Sequence, residues 1–413
     1  MASIRILPML LALLLLGPAL PAGAANITVN IPDDLADTDL ADGDCDVSDA
    51  AGDQCSLRAA VQEANQTPAA DVIFLAPTLW ALTLDGAGED AAATGDLDVT
   101  TAIEVRGEVN RRDATFIEGK GAKDRIFDVH PGGSLTLQRL TLLNAKTAKE
   151  DFDPGFPGEV SGGCVRSAGT LVLRLVFFYR CSSSDDGGCV SVIDGSATVD
   201  DSIFSSCKAK GEGGALEVTA LGSASLGDTG VAACKAGLGG AIAARGPLTL
   251  RNATLDGNKS KLGGGVSLLG DAGATINSST LSSNGGVNLD ASQTSGTVSV
   301  SNSIVWGAKS ADCLGAIDSG GGNLEGESAC GFTGVNDQQN QDPELLPIGF
   351  YPYSPQEVVT RPVLAGSPAL DHGVDASCEP TDARAQPRTD VPGEGIDETL
   401  CDSGAFEFIP PPP

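Results

Sequence analysis

Between Ser134 and Trp306, hydrophobic residues alternate with small or polar ones in short runs, and the runs recur. Seven copies share one hydrophobic phase: SLTLQRLTLLN (134–144), TLVLRLVFFYRC (170–181), ATVDDSIFSSC (197–207), ASLGDTGVAAC (224–234), LTLRNATLDGN (248–258), ATINSSTLSSN (274–284) and VSVSNSIVWGA (298–308). A second block follows most of them: GGCV (162–165), GGCV (187–190), GGAL (213–216), GGAI (239–242), GGGV (263–266) and GGVNL (285–289). Alternation of period two is the pattern of a strand, and no unit carries a helical period. The steps from Cys181 to Cys207, Cys234, Asn258 and Asn284 are 26, 27, 24 and 26 residues. The step from Asn144 to Cys181 is 37, because KEDFDPGFPGEV (149–160) is inserted there. A fixed period of this size marks a repeat architecture. The pattern therefore predicts an all-β solenoid with three-strand coils of about 24–27 residues. Parallel pairing stacks such coils about 4.8 Å apart.

Stacking places equal phases above one another. Leu137, Leu173, Val199, Leu226, Leu250, Ile276 and Val300 are predicted to form one inward column. The ladder position after the second strand holds Asn144, Cys181, Cys207, Cys234, Asn258 and Asn284 in turn. An Asn there can satisfy backbone groups at a corner and bond the Asn stacked next to it. The Gly-Gly pairs mark another corner, where a positive φ or close backbone approach is needed. Less regular strands at 72–75, 82–84, 103–105, 115–117 and 126–129 read as the first coils, and 26–31 as a strand before them. One helix is predicted over 57–65, with Ser56 as N-cap and Leu57, Ala60, Val61 and Ala64 as its apolar stripe. It is placed to cover the open end of the solenoid, which would otherwise expose a sheet edge.

Five segments carry a family resemblance: CSLRAAVQEAN (55–65), DRIFDVHPGGSLTLQRLTL (124–142), DCLGAIDSGGGNLEGESACGF (312–332), GSPALDHG (366–373) and CDSGAFE (401–407). The chain resembles bacterial secreted proteins with a CSLREA-type N-terminal domain, a parallel β-helix and a C-terminal region called choice-of-anchor Q. The resemblance spans nearly all of the mature chain; its two ends are specific and its middle is generic. It implies a right-handed parallel β-helix of the pectin-lyase-like fold and export from the cell. It implies no agreed activity. The chain departs from the motif at Ala59, where the family has Glu. That Glu would complete a capping box, so the Ser56 cap is left one-sided, at a cost of about 0.5 kcal/mol.

Residues 1–25 read as a signal peptide: Arg5, an apolar run over 6–20, and Ala22-Gly23-Ala24 as the cleavage signal. The apolar run is short for a membrane span, and no transmembrane segment, sorting signal or translocator is read elsewhere. The remaining organisation is a cap over 26–80, the β-helix over 81–310, a disulfide-containing region over 311–409 and a proline tail over 410–413. A monomer is expected. The net charge of −30 argues against nucleic acid and anionic lipid, and against polyanionic substrates unless a local basic cleft or Ca²⁺ intervenes. Nine aspartates lie between Asp33 and Asp53, a composition that could hold a Ca²⁺. Their spacing does not fit an EF-hand loop, so a solvated acidic loop is the default reading.

Eleven cysteines in an exported chain point to disulfides. Cys45–Cys55, Cys313–Cys330 and Cys378–Cys401 each bracket a loop outside the regular coils. Cys164–Cys189 is a candidate fourth bridge between stacked coils, and an odd count leaves at least one thiol free or paired outside the chain. For catalysis, the row after each Gly-Gly offers Arg166, Ser191, Glu217, Ala243 and Ser267, one acid and one base among small residues. Asp185-Asp186 and Asp200-Asp201 are adjacent acids whose side chains diverge. The histidines are His130 and His372, the latter beside Asp371. The sequence therefore favours a non-catalytic secreted or cell-surface solenoid, structural, adhesive or ligand-presenting, with a glycan or surface polymer as partner and no cofactor. A polysaccharide lyase or hydrolase is the alternative.

Overall fold

The computed structural model describes residues 24–48, 50, 52, 54–148, 160–351, 358–390 and 401–409. The signal peptide apart from Ala24 and Ala25, the insertion apart from Val160, Asp49, Asp53 and the proline tail lie outside the described residues. The chain winds into a right-handed parallel β-helix. One sheet runs its length as nine parallel strands, from Leu97–Val99 to Ala311–Gly315. Each coil then makes two further strands separated by a bend, as in Gly222–Gly227 and Gly230–Ala232. At the bend Arg139, Leu175, Asp201, Asp228, Asn252, Ser278 and Asn302 take φ between 46° and 60°. A short fourth side is formed by Lys146–Thr147, Ser182–Ser183 and Lys208–Ala209, and continues as single bridges to Lys235, Lys259 and Gly285.

The predicted inward column forms. Leu137, Leu173, Val199, Leu226, Leu250, Ile276 and Val300 are paired rung by rung and all are buried. Ile73 and Val105 extend the column toward the N-terminus. Aliphatic columns suit this lumen because burying each side chain removes it from water on every side, worth about 1.5–3 kcal/mol.

The ladder differs at one position. Leu143 pairs with Tyr179, so Asn144 stacks on Arg180, one residue before the ladder. Ala145 occupies the column instead, and the Asn144 side chain turns outward to Glu118 at 2.7 Å. The copy at 134–144 ends one residue earlier in its rung than the others do. Further on the ladder holds: Asn258 N donates to Asn284 Oδ1 at 2.9 Å, and Asn284 Nδ2 donates to Asn288 Oδ1 at 2.9 Å. Asn288 passes the chain of bonds to Asp312 at 3.0 Å.

Disulfides join Cys45 to Cys55, Cys313 to Cys330 and Cys378 to Cys401. The coil cysteines correct the inter-coil candidate. Cys164 pairs with Cys181 and Cys189 with Cys207, at Cα separations of 5.5 and 5.4 Å. Cys164 and Cys189 are neighbours in adjacent coils, joined only by a backbone bond from Cys164 N to Cys189 O. Stacked residues project their Cβ atoms in parallel, whereas Cys164 and Cys181 face each other where one coil closes on itself. The next coil presents Ala215 where the previous one has Cys189, since Val190 pairs with Leu216. Cys234 is therefore left as a buried free thiol, and burial pushes that thiol up to about 12. Denatured, unreduced protein is expected to titrate one thiol per chain, with peptides 164–181 and 189–207 cross-linked by mass spectrometry. Ala215→Cys is expected to remove that thiol by closing a third coil. A Cys164–Cys189 peptide would refute the pairing.

A cap closes the N-terminal end of the solenoid and a strap covers its later coils. At the N-terminus, α1 (Leu57–Ala64) packs on the strands Asn26–Val29, Asp71–Leu75 and Leu97–Val99. Ser56 caps it, accepting from Ala59 N at 3.0 Å. Ala59 is wholly buried, so the family's Glu would have no water here. At the other end, residues 358–390 and 401–409 fold back as a strap along the outer face of the later coils. Side-chain amides and hydroxyls hold it: Asn277 Nδ2 donates to Ser377 O at 2.9 Å, Asn252 Nδ2 to Thr381 O at 2.9 Å, and Ala405 N to Thr280 Oγ1 at 3.1 Å. Gly230 makes room for it, since a Cβ there would lie 2.2 Å from Val359 Cγ2.

Candidate functional site

Three surfaces hold the chain's polar chemistry. The first is the row on the nine-stranded sheet. Pairing sets Asp98, Asp128, Arg166, Ser191, Glu217, Ala243, Ser267 and Asp290 in one column. Sequence reasoning reached the five central members and missed Asp98, Asp128 and Asp290, which lie in less regular coils. The centre of the row is not open. The Gly-Gly corner folds over it so closely that a Cβ on Gly187 would lie 2.7 Å from Ser191 Cβ, and one on Gly263 1.9 Å from Ser267 Oγ. Ser191, Ala243 and Ser267 are buried beneath that corner, and Glu217 nearly so. Ser191 donates to Glu217. Burial raises the Glu217 carboxyl to about 7, against the lowering effect of the Ser191 bond.

The second surface is a knot of buried charge at the N-terminal end of the same row. Arg125 Nη1 reaches Asp128 at 2.6 Å and Asp96 at 3.2 Å. Arg166 reaches Asp128 at 2.7 Å, and His130 Nε2 lies 2.7 Å from Asp98. Two sets could gather on one ion, Asp90 with Asp98 and His130, and Asp96 with Asp98 and Asp128. Desolvation raises Asp96 and Asp98, and raises Asp124 to about 6. The Asp98 bond raises His130. The two arginines supply countercharge to part of this network, two guanidinium groups among the four carboxyls Asp96, Asp98, Asp124 and Asp128.

The other sequence candidates do not converge. Asp186 accepts from Glu212 N at 2.6 Å, while Asp201 sits at a positive-φ bend and is raised by burial to about 6. His372 Nδ1 lies 2.8 Å from Leu370 O within the strap. In the N-terminal acidic loop, Asp37, Asp39 and Asp42 accept from nearby backbone amides. Asp34 is not solvated but buried against Arg58. Neither set of cation-competent side chains lies in that loop.

The third surface is the short fourth side. Lys208, Lys235 and Lys259 are joined rung to rung by bridges. Lys309 N bonds Asn284 O just as Lys259 N bonds Cys234 O, which puts Lys309 at the same phase. With Lys210 and Lys261 they line a groove of about 1080 Å³. Between the lysines its lining is made of small residues, Ala209, Ala236, Gly237, Ser260, Gly286 and Ser310. The signal is present in the sequence as the residue after the ladder, in Cys207-Lys208, Cys234-Lys235 and Asn258-Lys259. Sequence reasoning missed it because the aligned copies stop at the ladder.

No protein-family model matches the chain, and comparison with curated proteins finds no match. Among solved structures it is similar to "Crystal structure of pectate lyase Pel9A", with a TM-score of 0.54 and 12% sequence identity, covering 94% of this chain and 97% of that one. At that identity the likeness shows the parallel β-helix fold. Among the described residues, no helix is long and apolar enough to cross a membrane.

Proposed function

We propose that the chain is a non-catalytic β-solenoid of the cell exterior, secreted or surface-held, that serves as a monomeric structural, adhesive or ligand-presenting module. Its partner is a glycan or cell-surface polymer. The observation that carries this reading is the closed centre of the sheet row. Glycoside cleavage needs two accessible carboxyl groups flanking a bond, and β-elimination needs an accessible base. Here Ser191, Ala243 and Ser267 lie beneath the Gly-Gly corner and Glu217 is engaged by Ser191. Five disulfides fit an oxidising compartment.

A polysaccharide-active enzyme is the second reading, favoured by the Asp96, Asp98 and Asp128 group with Arg166 beside it. Carboxylate-held Ca²⁺ and a nearby basic residue are the parts that β-elimination uses. The similar solved structure is a pectate lyase, which makes pectate a necessary substrate to test. Purified protein incubated with pectate, alginate and hyaluronan, with and without Ca²⁺, is expected to release neither reducing ends nor unsaturated products. Steady product release abolished by Asp128→Asn or Arg166→Ala would establish the enzyme reading instead.

A further inference from the structure

The chain carries 55 acidic against 25 basic residues, yet six of its ten lysines line one groove. All six, Lys208, Lys210, Lys235, Lys259, Lys261 and Lys309, are exposed. Among the described residues none of them has an ion-pair partner, whereas Lys123, outside the groove, pairs with Asp85. Two acids of the adjoining corner are already engaged. Asp186 accepts from Glu212 N, and Glu212 is held by Arg245. Like charges stacked on neighbouring rungs repel and cost stability. This column keeps four of them over four steps, interrupted by Gly285.

We propose that the lysine groove on the short fourth side binds a linear polysaccharide bearing one anionic group per sugar. The proposal rests on the reading of the chain as a polymer-binding module and names the class of polymer. Rungs advance by about 4.8 Å, so four steps span about 19 Å. A sugar in an extended 1,4-linked chain advances by a comparable distance, so successive carboxylates or sulfates fall opposite successive ammonium groups. The small residues that line it between the lysines let such a chain lie along the solenoid axis without a bulky side chain across its path. All six cations are lysines, hydrated point charges rather than forked guanidinium groups. That suits a salt-sensitive, sliding contact along a repeating charge. The groove lining contains no aromatic side chain on which bases could stack, which disfavours single-stranded nucleic acid.

The test is titration calorimetry of the full mature chain against polygalacturonate and alginate (carboxylate), carrageenan (sulfate), neutral dextran and duplex DNA, at several salt concentrations. Wild type is expected to bind the anionic polysaccharides and not dextran, with affinity falling as salt rises. Lys208→Gln/Lys235→Gln/Lys259→Gln is expected to bind at least tenfold more weakly. Its slope of log affinity on log salt should be shallower by about 2, on the order of 0.7 per lost contact. Lys120→Gln/Lys123→Gln, outside the groove, should bind as wild type. Circular dichroism of each variant separates lost binding from lost fold. The carboxylate and sulfate arms identify the anionic group. Dextran binding as tightly, preference for DNA, or no binding of any anionic polysaccharide at low salt would overturn the proposal. Undiminished binding by the triple variant would remove the groove while leaving a polymer-binding module in place.

Discussion

Arg58→Ala is expected to lower stability by about 3–5 kcal/mol, the cost of leaving one member of a buried ion pair without its partner. Arg58 is wholly buried. Its Nε meets Asp34 Oδ1 at 2.7 Å, Nη1 donates to Ala92 O and Asp96 O, and Nη2 donates to Gly95 O. Asp34 Oδ2 in turn accepts from Thr83 N at 2.6 Å and Leu84 N at 2.9 Å. One guanidinium thus ties α1, the segment before it and the first coil together. Asp34→Ala should cost a similar amount, and Arg58→Met/Asp34→Leu much less than the two single losses combined, because the stranded charge is gone. Denaturant unfolding measures the sum. Solenoids can open from one end, so amide exchange over residues 26–48 and 82–98 shows whether the loss is local. A loss below about 1 kcal/mol for Arg58→Ala would show that the clamp does not hold the cap.

The clamp also marks where the sequence stops being legible. The inward column can be read because Leu137 through Val300 recur at a nearly constant step with the same neighbours. Arg58 and Asp34 recur nowhere, and an Asp in a run of nine reads as a solvated one. Asn144 falls one residue off the ladder because its rung ends early, a shift that the pairing of Leu143 with Tyr179 reveals and the hydrophobic phase does not. The coil disulfides are legible in principle. Each GGC is followed by a Cys at 17 or 18 residues, and the coil with Ala215 has lost one partner. The stacking distance draws attention to neighbours between coils instead. The strap is invisible for a different reason. It binds through Asn252, Asn277 and Thr280, whose partners lie about 100 or more residues away and follow no period. The charge knot at Asp96, Asp98 and Asp128 lies in coils whose spacing is too irregular to align.

Raising the pH from 5 to 8 is expected to destabilise the protein, the reverse of ordinary acid denaturation. Desolvation raises Glu217, Glu407 and Glu63 to about 7 and Asp124 and Asp201 to about 6. It also lifts Asp96 and Asp402 well above the usual carboxylate range. A carboxyl whose folded pKa lies above its unfolded value binds more protons in the native state. Its contribution is fully present below the unfolded pKa, near 4, and is lost as pH rises through the folded value. The window set by these groups is therefore about pH 4 to 7.5. His130 is also raised, by its bond to Asp98, and so loses stabilisation in the same direction. Mounting negative charge adds self-repulsion with the same sign. Glu217 isolates one part of the effect, since it is buried, neutral at low pH and bonded to Ser191. Glu217→Gln keeps the shape and removes the ionisation. The variant should match wild type near pH 5 and exceed it by about 1–3 kcal/mol at pH 8. Denaturant midpoints at pH 5, 6, 7 and 8 and fixed ionic strength give both curves. A wild-type stability that is flat or rises across that range would show that these carboxyls ionise without cost. A Glu217→Gln curve parallel to wild type would exonerate Glu217 alone.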